Sequence, residues 1–229
     1  MCHPAEIRPE ENTLTAEPLP YHYIAVDGPI GVGKTTLVDL LARRFEGVKV
    51  LEDAENPFLD KFYKDRPGAA FQTQLYYLLS RFKQQQDIAQ RELFERLVVA
   101  DYPFPKDRIF AYLNLTDDEL LIYDKLYALL EPQTPAPDLL LYLVADLDTC
   151  MERIRRRDRA YEKRLSRDYL AELIDAYHHY YHHYRASPVL VVDTRHLDFR
   201  DRPQDLEQLI EQLRRPHKGT QYYTPLGSR

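Results

Sequence analysis

Short, nearly all-apolar runs alternate along this chain with longer stretches in which apolar residues recur at helical spacing. Tyr23 to Val26 is a β-prone run, and after a polar, glycine-rich turn Leu37, Leu40, Leu41 and Phe45 follow a period near 3.6, so the pattern predicts strand, turn, helix. Val48 to Leu51, Leu97 to Ala100, Leu139 to Ala145 and Val189 to Val192 predict four more strands. The last two are apolar throughout, as strands covered on both faces are. Ala69 to Arg96 contains neither Gly nor Pro and is rich in Leu, Gln, Arg and Glu, which predicts one long helix. Thr116 with Glu119 forms a capping box for a helix to about Leu130. Asp148 to Arg157, Ser166 to Tyr184 and Pro203 to Leu213 predict three more. Strands alternating with helices predict an α/β sandwich of three layers around a mainly parallel sheet of five strands. Residues 1–20, with four Glu and four Pro and little periodicity, are expected to be a mobile tail; 21–215 form the domain and 216–229 an irregular end.

Composition narrows the function. The chain has 229 residues, and 31 Lys+Arg against 37 Asp+Glu leave a net charge of −6, which argues against a surface for nucleic acid. The longest apolar run, Leu139 to Ala145, falls far short of the roughly 20 residues that cross a bilayer, so no membrane partner is expected. The acidic, proline-rich N-terminus has no apolar core of a signal peptide. Cys2 and Cys150 are too few for a disulfide framework, and the expected location is the cytoplasm. Of only 7 Gly, Gly28, Gly31 and Gly33 fall within one turn.

That turn, Gly28, Pro29, Ile30, Gly31, Val32, Gly33, Lys34, Thr35, fits G-x-x-x-x-G-K-[ST] between a predicted strand and a predicted helix, with Thr36 following. Its backbone N–H groups form a nest for phosphates, Lys34 reaches the β- and γ-phosphates of ATP, and the Thr35 hydroxyl is a ligand for Mg²⁺. A phosphate loop of this kind serves small-molecule kinases, switch GTPases and motor ATPases. No N-K-x-D guanine motif occurs, and the third strand ends in Asp101 without the second acid of a motor ATPase.

Glu52 closes the second strand, at the carboxyl end of the sheet where ligands sit. A carboxylate there either takes a proton from a substrate hydroxyl or caps a helix, and its position admits both. Gln74 and Arg81 stand two turns apart on one helix face, either as surface groups or as partners for a base edge. Arg153, Arg155, Arg156, Arg157 and Arg159 crowd five guanidinium groups into seven residues, either a solvated face or a lid closing over phosphate.

The strings GPIGVGKTTL, ENPFLDKFY, FQTQLYYLLSRFKQ, VVADYPFPKDRIFA, PDLLLYL and RIRRRDRAYEK occur in that order between Tyr23 and Leu213. Together they resemble the deoxynucleoside kinase family, most closely its bacterial deoxyguanosine and deoxyadenosine kinases. The resemblance implies a P-loop kinase sandwich with an Arg-rich lid, working as a homodimer packed through long helices. It implies transfer of the γ-phosphoryl of ATP to the 5′-hydroxyl of a purine deoxynucleoside. Glu52 is then the general base, Tyr63 and Glu162 hold the 3′-hydroxyl, and Gln74, Arg81 and Asp107 recognise the base. Arg153, Arg157 and Arg159 are the lid arginines, Asp101 lies near Mg²⁺, and Asp198 and Phe199 cover the adenine of ATP.

Two positions depart from the family pattern. Asp101 is followed by Tyr102 where many members have an arginine that helps neutralise phosphoryl oxygens; Ala-Asp-Tyr also marks the bacterial deoxyguanosine kinases and so points to purines. Asp158 replaces the usual glycine between two lid arginines. Asp53 is a second candidate for the base. His178, His179, His182 and His183 stand at spacings that could hold a metal but are read as a surface helix face. A thymidylate-type monophosphate kinase and a nucleotide-sensing protein are the rival readings. The first needs extra cations for the acceptor's phosphate, which Glu52 would repel.

Overall fold

The structure, a computed structural model, describes residues 17–52, 56–64, 66–91, 97–159, 162 and 165–225. Six parallel strands form one sheet among these residues: β1 (Tyr23–Asp27), β2 (Val48–Val50), β3 (Val98–Ala100), β4 (Leu139–Val144), β5 (Val189–Asp193) and β6 (Thr220–Tyr223), in the order β2-β3-β1-β4-β5-β6. Every side chain of β1 is buried, and Ile24 and Ala25 stand opposite Leu139 and Leu140 of β4. Such strands are covered on both faces, which is why they read as solid apolar runs.

The helices are α1 (Lys34–Arg44), α2 (Leu59–Phe62), α3 (Ala69–Arg91), α4 (Lys106–Asn114), α5 (Asp117–Leu130), α6 (Leu147–Arg157), α7 (Arg167–His183) and α8 (Pro203–Leu213). Their boundaries follow local chemistry. The capping box of Thr116 and Glu119 opens α5, Asp146 accepts from the Thr149 amide at 2.8 Å to open α6, and Pro203 occupies the first turn of α8. Leu37 and Leu41 of α1, Leu173 and Tyr177 of α7 and Leu209 and Leu213 of α8 are buried in the main core with the sheet. At about 1.5–3 kcal/mol for each large apolar side chain fully buried, this core is the main source of stability. A smaller core joins Leu78 of α3, Phe104 and Ala111 to Tyr123 and Tyr127 of α5.

Three details differ from the sequence reading. The sheet has six strands rather than five, because Gly219 at φ +60 turns the chain so that Val189 and Val191 pair with Thr220 and Tyr222. This edge strand is largely exposed and carries no apolar run, so its sequence does not resemble the buried strands. Helix α4, enclosed by Pro103 and Pro105 on one side and Leu115 on the other, has no counterpart among the predicted helices. Leu19, within the expected tail, packs into the core, and Glu17 pairs with Arg214 at 2.6 Å.

Candidate active site

β1 lies between β3 and β4, so the chain crosses the sheet in opposite directions on its two sides, and the carboxyl ends of the strands open there into a cleft of about 1190 Å³. The phosphate loop forms one wall. A Cβ at Gly28, whose φ is +146, would strike the Leu143 carbonyl oxygen, and one at Gly31 would lie 2.6 Å from the Cys150 carbonyl oxygen. Only glycine lets the loop approach β4 and α6 this closely. Lys34 Nζ donates to the carbonyls of Gly28 at 2.7 Å and Pro29 at 3.0 Å. Burial, and then the nearby charge of Lys106, lowers the Lys34 pKa to about 8.

Opposite the loop, the first acid after β2 meets a ring of cations. Glu52 Oε1 accepts from Arg81 Nε at 3.1 Å and from its second terminal nitrogen, while Oε2 accepts from Lys106 Nζ at 3.0 Å. Burial alone would raise the Glu52 pKa, but Lys106 and Arg81 outweigh it and hold the carboxyl well below its usual range. Asp101, just past β3, ties the two walls together: its Oδ1 accepts from the Glu52 amide at 2.7 Å and its Oδ2 from Thr35 Oγ1 at 3.2 Å. Burial raises the Asp101 pKa, so a cation bound between it and Thr35 would relieve that cost.

The remaining predicted residues divide into those that face the cleft and those that do not. Ile30, Val32, Gly33, Thr36, Tyr63, Gln74, Glu162, Asp198 and Phe199 line it. Gln74 donates to the Asp107 carbonyl at 3.0 Å. Asp107 itself is fully buried behind Arg81, with which it pairs, and accepts from the Tyr123 hydroxyl at 2.6 Å. It therefore acts on the cleft through Arg81. Arg157 and Arg159 both lean on Glu162, Arg157 through Nε at 3.1 Å and Arg159 at 4.0 Å. Arg153 lines the cleft and ties parts of its wall together. Its two terminal nitrogens donate to the Val32 carbonyl at 3.0 Å, the Thr194 hydroxyl at 3.0 Å and the Thr194 carbonyl at 2.7 Å. Asp158 ends α6 in the left-handed region at φ 50. Asp53 lies outside the described residues. The four histidines sit on the exposed side of α7, with His178 Nδ1 3.1 Å from the Tyr142 hydroxyl and His183 Nδ1 2.9 Å from the His179 carbonyl.

Two groups at the site escaped the sequence reading. Asp27, the last residue of β1, is buried and accepts from the hydroxyls of Tyr177 at 3.2 Å and of Tyr181. Burial raises its pKa. Lys106 is the other; its sequence signal was a basic residue directly after Pro105.

Comparison with known proteins gives a consistent result. The family model described as deoxynucleoside kinase matches residues 24–216. A deoxyguanosine kinase of Bacillus subtilis is 40% identical over 68% of this chain and 76% of its own. A deoxyadenosine/deoxycytidine kinase of the same organism is 33% identical over 83% and 90%. A deoxyadenosine kinase of M. mycoides, solved with dATP, has a TM-score of 0.72 over 84% of this chain and 98% of its own at 24% identity, a likeness of fold. None of these relatives favours the thymidylate-type alternative. With the family match spanning the whole sheet up to β5, α8 and both walls of the cleft, the chain belongs to the deoxynucleoside kinase family and is a phosphotransferase.

Proposed function

We propose that the protein transfers the γ-phosphoryl group of ATP to the 5′-hydroxyl of a purine deoxynucleoside, deoxyguanosine or deoxyadenosine. The observation that carries this reading is Glu52: a carboxylate held by two cations across the cleft from the phosphate loop, beside Gln74 and Arg81. The 5′-oxygen forms a bond to the γ-phosphorus as the bond from that phosphorus to the β,γ-bridging oxygen breaks. The hydroxyl proton passes to Glu52, and the products are ADP and the nucleoside 5′-monophosphate. Most of the acceleration comes from alignment and from neutralising charge on the phosphoryl oxygens. Lys34 turns from the Gly28 and Pro29 carbonyls to the β- and γ-phosphates, and Arg157 and Arg159 supply positive charge from the lid. Gln74 meets the base edge with Arg81 beside it, Tyr63 and Glu162 hold the sugar, and Asp198 and Phe199 flank the adenine of ATP.

Thr35 Oγ1 and Asp101 Oδ2, two hard oxygens 3.2 Å apart, would hold Mg²⁺, which would supply positive charge against the phosphates. The name of the deoxyguanosine kinase relative, with Ala-Asp-Tyr at 100–102, supports the purine preference. A net charge of −6 speaks against nucleic acid as a partner, two cysteines support a cytoplasmic setting, and no described helix is long and apolar enough to cross a membrane. A coupled ADP-release assay over deoxyguanosine, deoxyadenosine, deoxycytidine, thymidine and thymidylate tests the reading, with Glu52→Gln beside the wild type. We expect the purines to give the highest kcat/KM and Glu52→Gln to lower kcat by about 10² or more while ATP binding stays near normal. Turnover on thymidylate alone, or an unimpaired Glu52→Gln, overturns it.

A further inference from the structure

We propose that Lys106 is the positioning cation of the acceptor side: it pins Glu52 Oε2 toward the substrate hydroxyl and supplies the positive charge that Tyr102 does not. This rests on Glu52 being the group that takes the acceptor's proton. Lys106 is the first residue of α4, and only 3% of it is exposed. Both facts act against a lysine there. A buried ammonium is costly unless paired, and a cation in the first turn of a helix opposes the helix dipole. The acid beside it in that turn, Asp107, is already occupied by Arg81 and Tyr123. What offsets the cost is the bond to Glu52 Oε2 at 3.0 Å.

The geometry explains what the bond does. Arg81 holds Oε1 alone, and one anchored oxygen leaves a carboxylate free to swing about it. Lys106 fixes the second oxygen from another helix, so α3 and α4 together set the plane of the carboxylate. Tyr102 turns its hydroxyl to Gln84 on α3 and brings no charge to the cleft.

The test is steady-state kinetics, with nucleoside and ATP varied in turn, on Lys106→Met, Lys106→Gln and Lys106→Arg, with Glu52→Gln alongside. Lys106→Met and Lys106→Gln should lower kcat by about 10- to 100-fold, with KM for ATP little changed. Lys106→Arg should recover most of kcat. Should Lys106→Met not fold, the contrast between Gln and Arg decides the matter alone. A normal kcat in the neutral variants overturns the proposal, as does equal loss in all three variants, which a packing role would give. If Glu52→Gln is slow and the Lys106 variants are normal, only this proposal fails; if Glu52→Gln is itself normal, the reading of Glu52 fails first.

Discussion

The carboxylate of Asp107 lies fully buried behind the Arg81 guanidinium. The family resemblance implied that it recognises the base with Gln74 and Arg81. Its Oδ1 instead meets Arg81, its Oδ2 the Tyr123 hydroxyl, and its backbone carbonyl Gln74. Truncation would leave the Arg81 guanidinium balanced by Glu52 alone. Breaking one side of a buried ion pair costs about 3–5 kcal/mol. Asp107→Ala should therefore lower the unfolding free energy in urea by that amount and raise KM for the nucleoside more than for ATP; a variant of normal stability would contradict the linkage. Such second-layer roles are invisible in sequence, because spacing reveals which residues share a helix face but not which of two neighbours stands in front. Asp158 was legible for the opposite reason. Its left-handed φ of 50 is where a glycine would sit freely, and aspartate is among the few other residues that tolerate it.

At the level of the element, the phosphate loop was readable in full because its chemistry is local: three glycines, a lysine and a threonine must follow one strand and open one helix. Helix α4 and strand β6 were not. The first is short and preceded by prolines, and the second pairs at an exposed edge where no apolar run is needed. The bonds by which Arg153 ties Val32 to Thr194 were hidden likewise, since most of its acceptors are backbone carbonyls that any residue supplies. The loop's own electrostatics give a pH-dependent prediction. Lys34, with its pKa lowered to about 8, loses its proton earlier than an ordinary lysine as pH rises. Polyphosphate bound beside it favours the protonated form and raises that pKa again. ATP binding should therefore take up part of a proton near pH 8.5 and weaken at higher pH. Calorimetric titrations in buffers of different ionisation enthalpy measure the uptake, and a heat independent of buffer would remove Lys34 from the phosphate site.

For the molecule as a whole, the alternation of strands and helices made the parallel sandwich legible, because each central strand needs cover on both faces. The surface that a second copy would use is less so. Leu79 on α3 and Leu121, Ile122 and Leu129 on α5 are each more than half exposed. Large apolar side chains grouped on neighbouring helices favour burial against a partner surface. Consistent with the homodimer that the family resemblance implies, Leu121→Glu with Leu129→Glu should convert a dimer into a monomer in sedimentation velocity; an unshifted coefficient would place the interface elsewhere. Arg153, finally, bears on the span between the phosphate loop and the segment after β5. It fastens Val32 of the loop to Thr194 and, at 3.3 Å, to the Leu197 carbonyl just before Asp198 and Phe199. On the proposed reading, in which those two residues flank the adenine of ATP, these bonds set the length of donor that the cleft accepts, so a donor whose base and phosphates do not match that span should bind less well.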